Sequence, residues 1–173
     1  VYMYKAMISF NMLIMSFIPV ISYHICRKHL KIESKIQALL ISVPAVGISS
    51  IWLYAMYARC DAMLIFLPWP ILLVILELSS TTSKAIRNTL SAVLAFVTVY
   101  AYMTHTRGVV LIIAAFMTVV LISAVYKHKT VNYFIYVPVS GVLMVIDKFL
   151  AAFFKNGVYG IYGTRHGSID VID

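Results

Sequence analysis

The chain has 173 residues, of which 62% are hydrophobic and 12% are charged, and its mean hydropathy is +0.95. A soluble domain carries about 25% charged residues, and a protein of this size is still largely surface. The composition therefore excludes a soluble globular domain. The net charge of +8 does not indicate a nucleic-acid partner, because the basic residues stand in short clusters between apolar runs rather than on one soluble face.

Six apolar runs follow one another along the chain, and each is close to the ~20 residues that a helix needs to cross a bilayer. Strands are excluded, because buried strands are shorter and outer-membrane strands alternate apolar and polar residues. The sequence predicts an all-α polytopic membrane protein with about six transmembrane helices. The runs cover Ala6–Cys26, Gln37–Tyr57, Ala62–Leu78, Asn88–Thr104, Gly108–Tyr126 and Asn132–Phe154.

The runs divide the chain into a transmembrane bundle over 1–154 and a tail, or the start of an outer loop, over 155–173. The chain opens Val-Tyr-Met-Tyr-Lys without an initiator Met, so we expect it to be a fragment of a longer polypeptide. In the third run, Pro68 and Pro70 predict a kink or a break. Alternatively, Trp69 marks the interface and the continuous helix begins near Pro70. Pro19, Pro44 and Pro138 are further candidates for kinks.

The loops give the bundle an orientation. The connections after the first, third and fifth runs carry 8 of the 14 basic residues, so the positive-inside rule makes this side cytoplasmic. The N-terminus and the tail are then extracytoplasmic, in a plasma (inner) membrane. Cys26 and Cys60 fall at opposite faces, which is beyond disulfide reach.

The shortest outer connection reads Met103-Thr104-His105-Thr106-Arg107-Gly108. An arginine at the interface binds phosphate through its planar fork, and a neighbouring histidine carries a proton or donates a hydrogen bond. Gly108 permits a tight turn or a close approach of another chain. The alternative interpretation is that this turn only caps two helices, with Arg107 reaching the lipid headgroups.

Other polar residues predicted at the outer face complete the candidate substrate-binding set. Arg59, in the connection between the second and third runs, is one of them, and the alternative for it is a plain hydrophilic turn. Asp147 lies near the outer end of the last span, and an ionisable residue at membrane depth is a functional candidate. The alternative is a structural ion pair, for example with Arg59 or Arg107. The glycine- and tyrosine-rich tail adds Arg165 and His166, which we expect to join His105 and Arg107 around one anion. Its tyrosines suit sugar stacking and equally suit an interfacial belt.

A short His-Thr-Arg-Gly outer hairpin, followed by a Val/Leu/Ile span and a Lys-rich inner loop, resembles bacterial multi-span GT-C type glycosyltransferases. The tail Tyr159-Gly160-Ile161-Tyr162-Gly163 fits the same picture. The resemblance implies sugar transfer from a polyprenyl-phosphate carrier at the extracytoplasmic face. The catalytic acid of that family lies in a first outer loop that has no counterpart here, so the resemblance leaves the catalytic residues of this chain unknown.

Two alternatives remain. Thr106-Arg107 at the start of a Leu-rich span resembles the O-antigen polymerase and ligase group, whose arginines hold lipid pyrophosphate. A transporter or a non-enzymatic membrane module would favour paired broken helices in two repeated halves, and we find one break and no repeat. The expected partners are the bilayer and a lipid-linked sugar phosphate. No cofactor or zinc-ligand spacing is evident, and a divalent metal is left open.

Overall fold

The computed structural model describes residues 2–44, 61–104, 108–126 and 131–156. These residues form seven α-helices, and there is no strand among them, so the predicted all-helical architecture is confirmed. The helices are α1 (Tyr2–Lys28), α2 (Lys35–Ser42), α3 (Asp61–Phe66), α4 (Pro68–Ser80), α5 (Lys84–Thr104), α6 (Gly108–Tyr126) and α7 (Tyr133–Asn156).

Five segments of the described chain are long and apolar enough to cross a membrane. They cover Lys5–Lys28, Ala62–Ser80, Lys84–Thr104, Gly108–Val125 and Tyr133–Leu150. These match five of the six predicted runs. The remaining run begins in α2 and continues into residues outside the described part, so the sixth span stays a prediction. Helix α7 extends to Asn156, and residues 157–173 of the predicted tail also lie outside.

The predicted interruption at the proline pair is present, and it is small. Leu67 separates α3 from α4, and Pro68 and Pro70 lie in the first turn of α4, where a helix has no partner for their missing N–H groups. The Leu67 N–H donates to the Met63 carbonyl at 2.9 Å, and the Ile71 N–H donates to the Leu67 carbonyl at 3.2 Å. Helices α3 and α4 therefore continue as one span despite the break.

Helix α5 is the central element of the described bundle, because it packs against α3, α4, α6 and α7. Its contacts with α4 and α6 form the larger apolar core, which includes the buried Ile75, Leu78, Leu94 and Val119. A smaller core joins α1 to α3 around Met15, Ile18 and Ala62. Many large apolar side chains on the outer surfaces of the helices are exposed, and exposed apolar surface of this kind suits helices that are surrounded by lipid.

The contacts between helix termini define the two ends of the bundle. Lys28 at the end of α1 reaches Glu77 near the end of α4, and Asn132 before α7 reaches Asn88 in the first turns of α5. We call this the basic end, because it carries the basic residues that flank α1, α4 and α5. The opposite end, where α5 stops at Thr104 and α6 begins at Gly108, is called the hairpin end. The buried thiol of Cys26 is free at the basic end, and Cys60 lies outside the described residues.

Candidate functional site

The predicted substrate-binding residues divide into one that the structure describes and five that it does not. Asp147 lies in α7, and it is only 9% exposed. The other predicted residues, which are Arg59, His105, Arg107, Arg165 and His166, lie outside the described residues. The geometry of the site is therefore built from Asp147 and from the helix ends that flank the sequence of His105 and Arg107.

Asp147 belongs to a narrow stripe along α7 that packs against α5. Tyr136, Ser140, Leu143 and Asp147 are spaced four, three and four residues apart, which keeps them on one face of a helix, and all four are at least partly buried. Most other positions of α7 are exposed, including the neighbouring Lys148. Asp147 is therefore held on the protein side of α7, where its side chain is removed from lipid.

At the basic end, this stripe begins with a hydrogen-bonded anchor. The Asn132 side chain donates to Asn88 Oδ1 at 2.8 Å, and its own Oδ1 accepts from the Phe134 N–H at 3.1 Å, which caps the start of α7. The Asn132 N–H donates to Ser91 Oγ at 2.9 Å, and the Ser91 hydroxyl donates to the Arg87 carbonyl at 2.7 Å. Two of these hydrogen bonds, from the Asn132 side chain to Asn88 and from the Asn132 N–H to Ser91, hold the start of α7 beside α5.

Further along the interface, Thr98 of α5 and Tyr136 of α7 share a hydrogen bond of 3.0 Å between their hydroxyl groups. Thr98 is 1% exposed and also bonds to the Leu94 carbonyl at 2.8 Å. One turn beyond Tyr136, the buried Ser140 hydroxyl has no hydrogen-bond partner within the described part of the chain. We call the line of Asn88, Ser91, Thr98, Asn132, Tyr136, Ser140 and Asp147 the polar seam. It runs from the basic end towards the hairpin end.

The seam gives the height of Asp147 in the bundle, because α5 and α7 run in parallel. We measure heights along the two helices from the contact of Asn132 with Ser91, with a rise of 1.5 Å per residue. Asp147 then lies about 22 Å along α7, and Thr104, the end of α5, lies about 20 Å along α5. From the contact of Tyr136 with Thr98, the corresponding heights are about 16 Å and about 9 Å. Both estimates put Asp147 at or just beyond the point where α5 ends.

Helices α5 and α6 meet tightly at this same end. A Cβ built on Gly108 would lie 1.9 Å from the Ala101 carbonyl oxygen, 2.4 Å from its carbon and 2.9 Å from the Tyr102 nitrogen. Gly108 therefore permits a close approach of the α5 backbone within this chain. The contact fixes the separation of the two helix ends that His105 and Arg107 connect in the sequence.

A second charged group lies at the basic end. Both carboxylate oxygens of Glu77 accept from Lys28 Nζ, at 2.7 and 2.6 Å, and Oε1 lies 3.1 Å from His29 Nε2 and 3.4 Å from His24 Nε2. The Glu77 and His29 side chains are 22% and 8% exposed, whereas those of Lys28 and His24 are about half exposed. Glu77 therefore joins the end of α1 to the end of α4.

Sequence reasoning did not identify the partners of Glu77. The pairing with Lys28 spans 49 residues, so no local spacing reveals it. The available signal was that an acid and a basic cluster end two spans on the same predicted side. The polar seam was missed for a similar reason, because isolated Asn, Ser and Thr residues in apolar runs carry no motif.

The described residues contain no group of three or more His, Cys, Asp or Glu side chains arranged to hold a metal ion. No protein family, curated protein or solved structure matches the sequence.

Proposed function

We propose that this protein handles a lipid-linked sugar phosphate at the extracytoplasmic face of the plasma membrane. In this proposal, sugar passes from a polyprenyl-phosphate carrier into a cell-surface polysaccharide or glycoconjugate. The observation that supports it is the height of Asp147. A buried carboxylate lies at the end of α5, which is where the sequence of the connection with His105 and Arg107 begins. Ionisable residues at membrane depth mark substrate pathways.

The proposed orientation follows from the charges. The basic end carries Lys28 and Lys84, and the connections at this end also include the basic residues that precede α2 and α7. The positive-inside rule assigns such an end to the cytoplasm. The hairpin end, with Asp147, then faces the outside of the cell, where lipid-linked sugars are used.

Each polar residue near the hairpin end has a role in this proposal. Arg107 binds the lipid phosphate, because a guanidinium donates two parallel hydrogen bonds to phosphate oxygens. His105 orients the phosphate or donates a proton. Asp147 supplies a negative charge that holds a basic side chain in position, since a buried carboxylate is costly without a cationic or hydrogen-bonding neighbour. Arg59, Arg165 and His166 complete the anion site, and the catalytic acid is not assigned to this chain.

The test is binding of a radiolabelled farnesyl phosphate to the full chain in phosphatidylcholine nanodiscs. We expect Arg107→Ala to weaken binding about tenfold to a hundredfold, because a charge-assisted hydrogen bond contributes about 1.5–3 kcal/mol. The matched control is Lys84→Ala, which removes the same charge from an exposed position at the basic end and should leave binding unchanged. If both Arg107→Ala and Arg165→Ala bind as the wild type does, the phosphate site is not at this end.

The same assay separates the second candidate. A polymerase or ligase of lipid-pyrophosphate substrates is favoured by Thr106-Arg107 at the start of the span that α6 forms. That function predicts tighter binding of farnesyl diphosphate than of the monophosphate, with the same dependence on Arg107. Glycosyl transfer from a monophosphate carrier predicts that the added phosphate gives no gain.

A further inference from the structure

The connection from α1 to α2 lies at the basic end, and we call residues 29–36 the basic loop. Its exposed side chains include two pairs, in each of which an apolar residue stands next to a lysine. The pairs are Leu30 with Lys31 and Lys35 with Ile36, and Leu30 and Ile36 are 62% and 71% exposed. Neither lysine has an ion-pair partner within the described part of the chain. The loop therefore presents two uncompensated cations and two apolar side chains to its surroundings.

The basic loop is folded against the end of α1. The Ile32 N–H donates to the Cys26 carbonyl at 3.1 Å. The Arg27 guanidinium donates to the Ile32 carbonyl at 2.7 Å and also to the Glu33 carbonyl. The segment that is long and apolar enough to span a membrane ends at Lys28, and the headgroup layer extends about 5–7 Å beyond the hydrocarbon. Because the loop returns to the last turns of α1, it stays in or next to this layer.

Lys31 occupies a backbone conformation that favours glycine. Its φ is 54°, and no other non-glycine residue in the described part of the chain has a positive φ. A residue with a Cβ is less stable than glycine in this left-handed region, and such residues cluster at functional sites. The turn alone would be better made by glycine, so the lysine at this position indicates a use for its side chain.

The apolar neighbours of the lysines indicate which partner supplies the negative charge. At an anionic bilayer surface, lysine ammonium groups bind phosphates while their alkyl stems and adjacent apolar side chains enter the upper hydrocarbon. An acidic protein or a nucleic acid in the aqueous phase offers the charge but no hydrocarbon for Leu30 and Ile36. The pairing of each lysine with an exposed apolar residue therefore favours a lipid surface.

We propose that the basic loop is a binding surface for anionic phospholipids, in which Lys31 and Lys35 bind headgroup phosphates and Leu30 and Ile36 enter the hydrocarbon beside them. The surface lies at the opposite end of the bundle from Asp147 and the hairpin end. It is independent of the proposed function and of the orientation of the chain in the cell. Through this surface, the lipid composition of one leaflet acts on the junction of α1 with α2.

The test is native mass spectrometry of the full chain released from nanodiscs that contain phosphatidylglycerol and phosphatidylcholine in equal amounts. The measured quantity is the ratio of the two lipids that stay bound. Lys31→Gln/Lys35→Gln should lower this ratio about fivefold for each lysine, which corresponds to the usual attraction of a lysine to an anionic membrane surface. The matched control is Lys5→Gln/Lys148→Gln, which removes two exposed lysines at the hairpin end and should leave the ratio unchanged.

Two single variants separate lipid binding from a structural role of the loop. Lys31→Gly removes the cation and relieves the left-handed backbone, so it should keep or raise the melting temperature and still lower the lipid ratio. Glu33→Gln removes the exposed acid between the two lysines and should raise the ratio. The proposal is overturned if Lys31→Gln/Lys35→Gln keeps the wild-type ratio. It is also overturned if Lys5→Gln/Lys148→Gln lowers the ratio equally, because the preference then belongs to the net charge and not to the basic loop.

Discussion

The contact between Gly108 and the backbone of α5 gives the sharpest prediction about stability. In Gly108→Ala, the new methyl group would lie 1.9 Å from the Ala101 carbonyl oxygen, whereas ordinary contacts of a Cβ begin at 3.4 Å. The two helix ends must therefore separate by about 1.5 Å to admit it. Both obstructing residues present backbone atoms, so no side chain can rotate away.

Overpacking a tight contact costs about 1–3 kcal/mol, and we expect the upper end of that range because backbone must move. A loss of about 3 kcal/mol lowers the melting temperature of a chain of this length by about 6–12 °C. The measurement is the melting temperature of the purified full chain in detergent, followed by circular dichroism at a fixed heating rate.

Gly141→Ala is the matched control. It makes the same change inside α7, where the added Cβ meets nothing within 4 Å. Alanine is a better helix former than glycine by about 1 kcal/mol, so this variant should melt at the wild-type temperature or slightly above it. If both variants melt like the wild type, α5 and α6 are not in tight contact at Gly108. If both lose stability equally, the cause is the loss of glycine in a helix and not the contact.

Two further predictions concern the contacts that join the helices at the basic end and along the seam. Glu77→Gln should lower the free energy of unfolding by about 1–2 kcal/mol, because it removes a partly buried charge bound by Lys28. Glu33→Gln, at an exposed position, should have no effect. Equal melting temperatures of these two variants would contradict the pairing of Glu77 with Lys28. Asn132→Ala should lower the free energy of unfolding by about 1–2 kcal/mol, because α7 loses its N-terminal cap. Tyr136→Phe should lower it by only about 0.6 kcal/mol, since the Thr98 hydroxyl keeps its backbone acceptor. The same melting assay checks the ranking, and a larger loss for Tyr136→Phe would refute it.

The spans were predictable because their signal is a property of the whole segment. Gly108–Tyr126 is apolar on all sides, and its helix has the predicted bounds. The predicted start of α5 was less accurate than its end. Residues Lys84 to Arg87 add a polar first turn to the helix, and hydropathy does not assign that turn to the span. The interruption before Pro68 was predictable from proline chemistry, whereas its small size depends on hydrogen bonds that continue across Leu67.

The site was predictable only in part, because its residues are distant in the sequence. The sequence singled out Asp147 as an ionisable residue in an apolar run, and the structure adds that it is buried, on the face of α7 that also carries Tyr136. The partners of Glu77 and the seam depend on which helices are neighbours, and the sequence does not specify this. The parallel packing of α5 on α7 is established by pairs such as Asn132 with Asn88, which are 44 residues apart.

The position of α5 connects the two parts of the proposed site. On one side, its Ala101 carbonyl touches α6 at Gly108, which fixes the start of α6. On another side, Thr98 bonds to Tyr136 of α7, the helix that carries Asp147. A displacement of α5 would thus change the hairpin end and the surroundings of the buried carboxylate together. Substitutions at the Gly108 contact should therefore weaken lipid-phosphate binding even though they touch no phosphate, whereas Gly141→Ala should leave it unchanged.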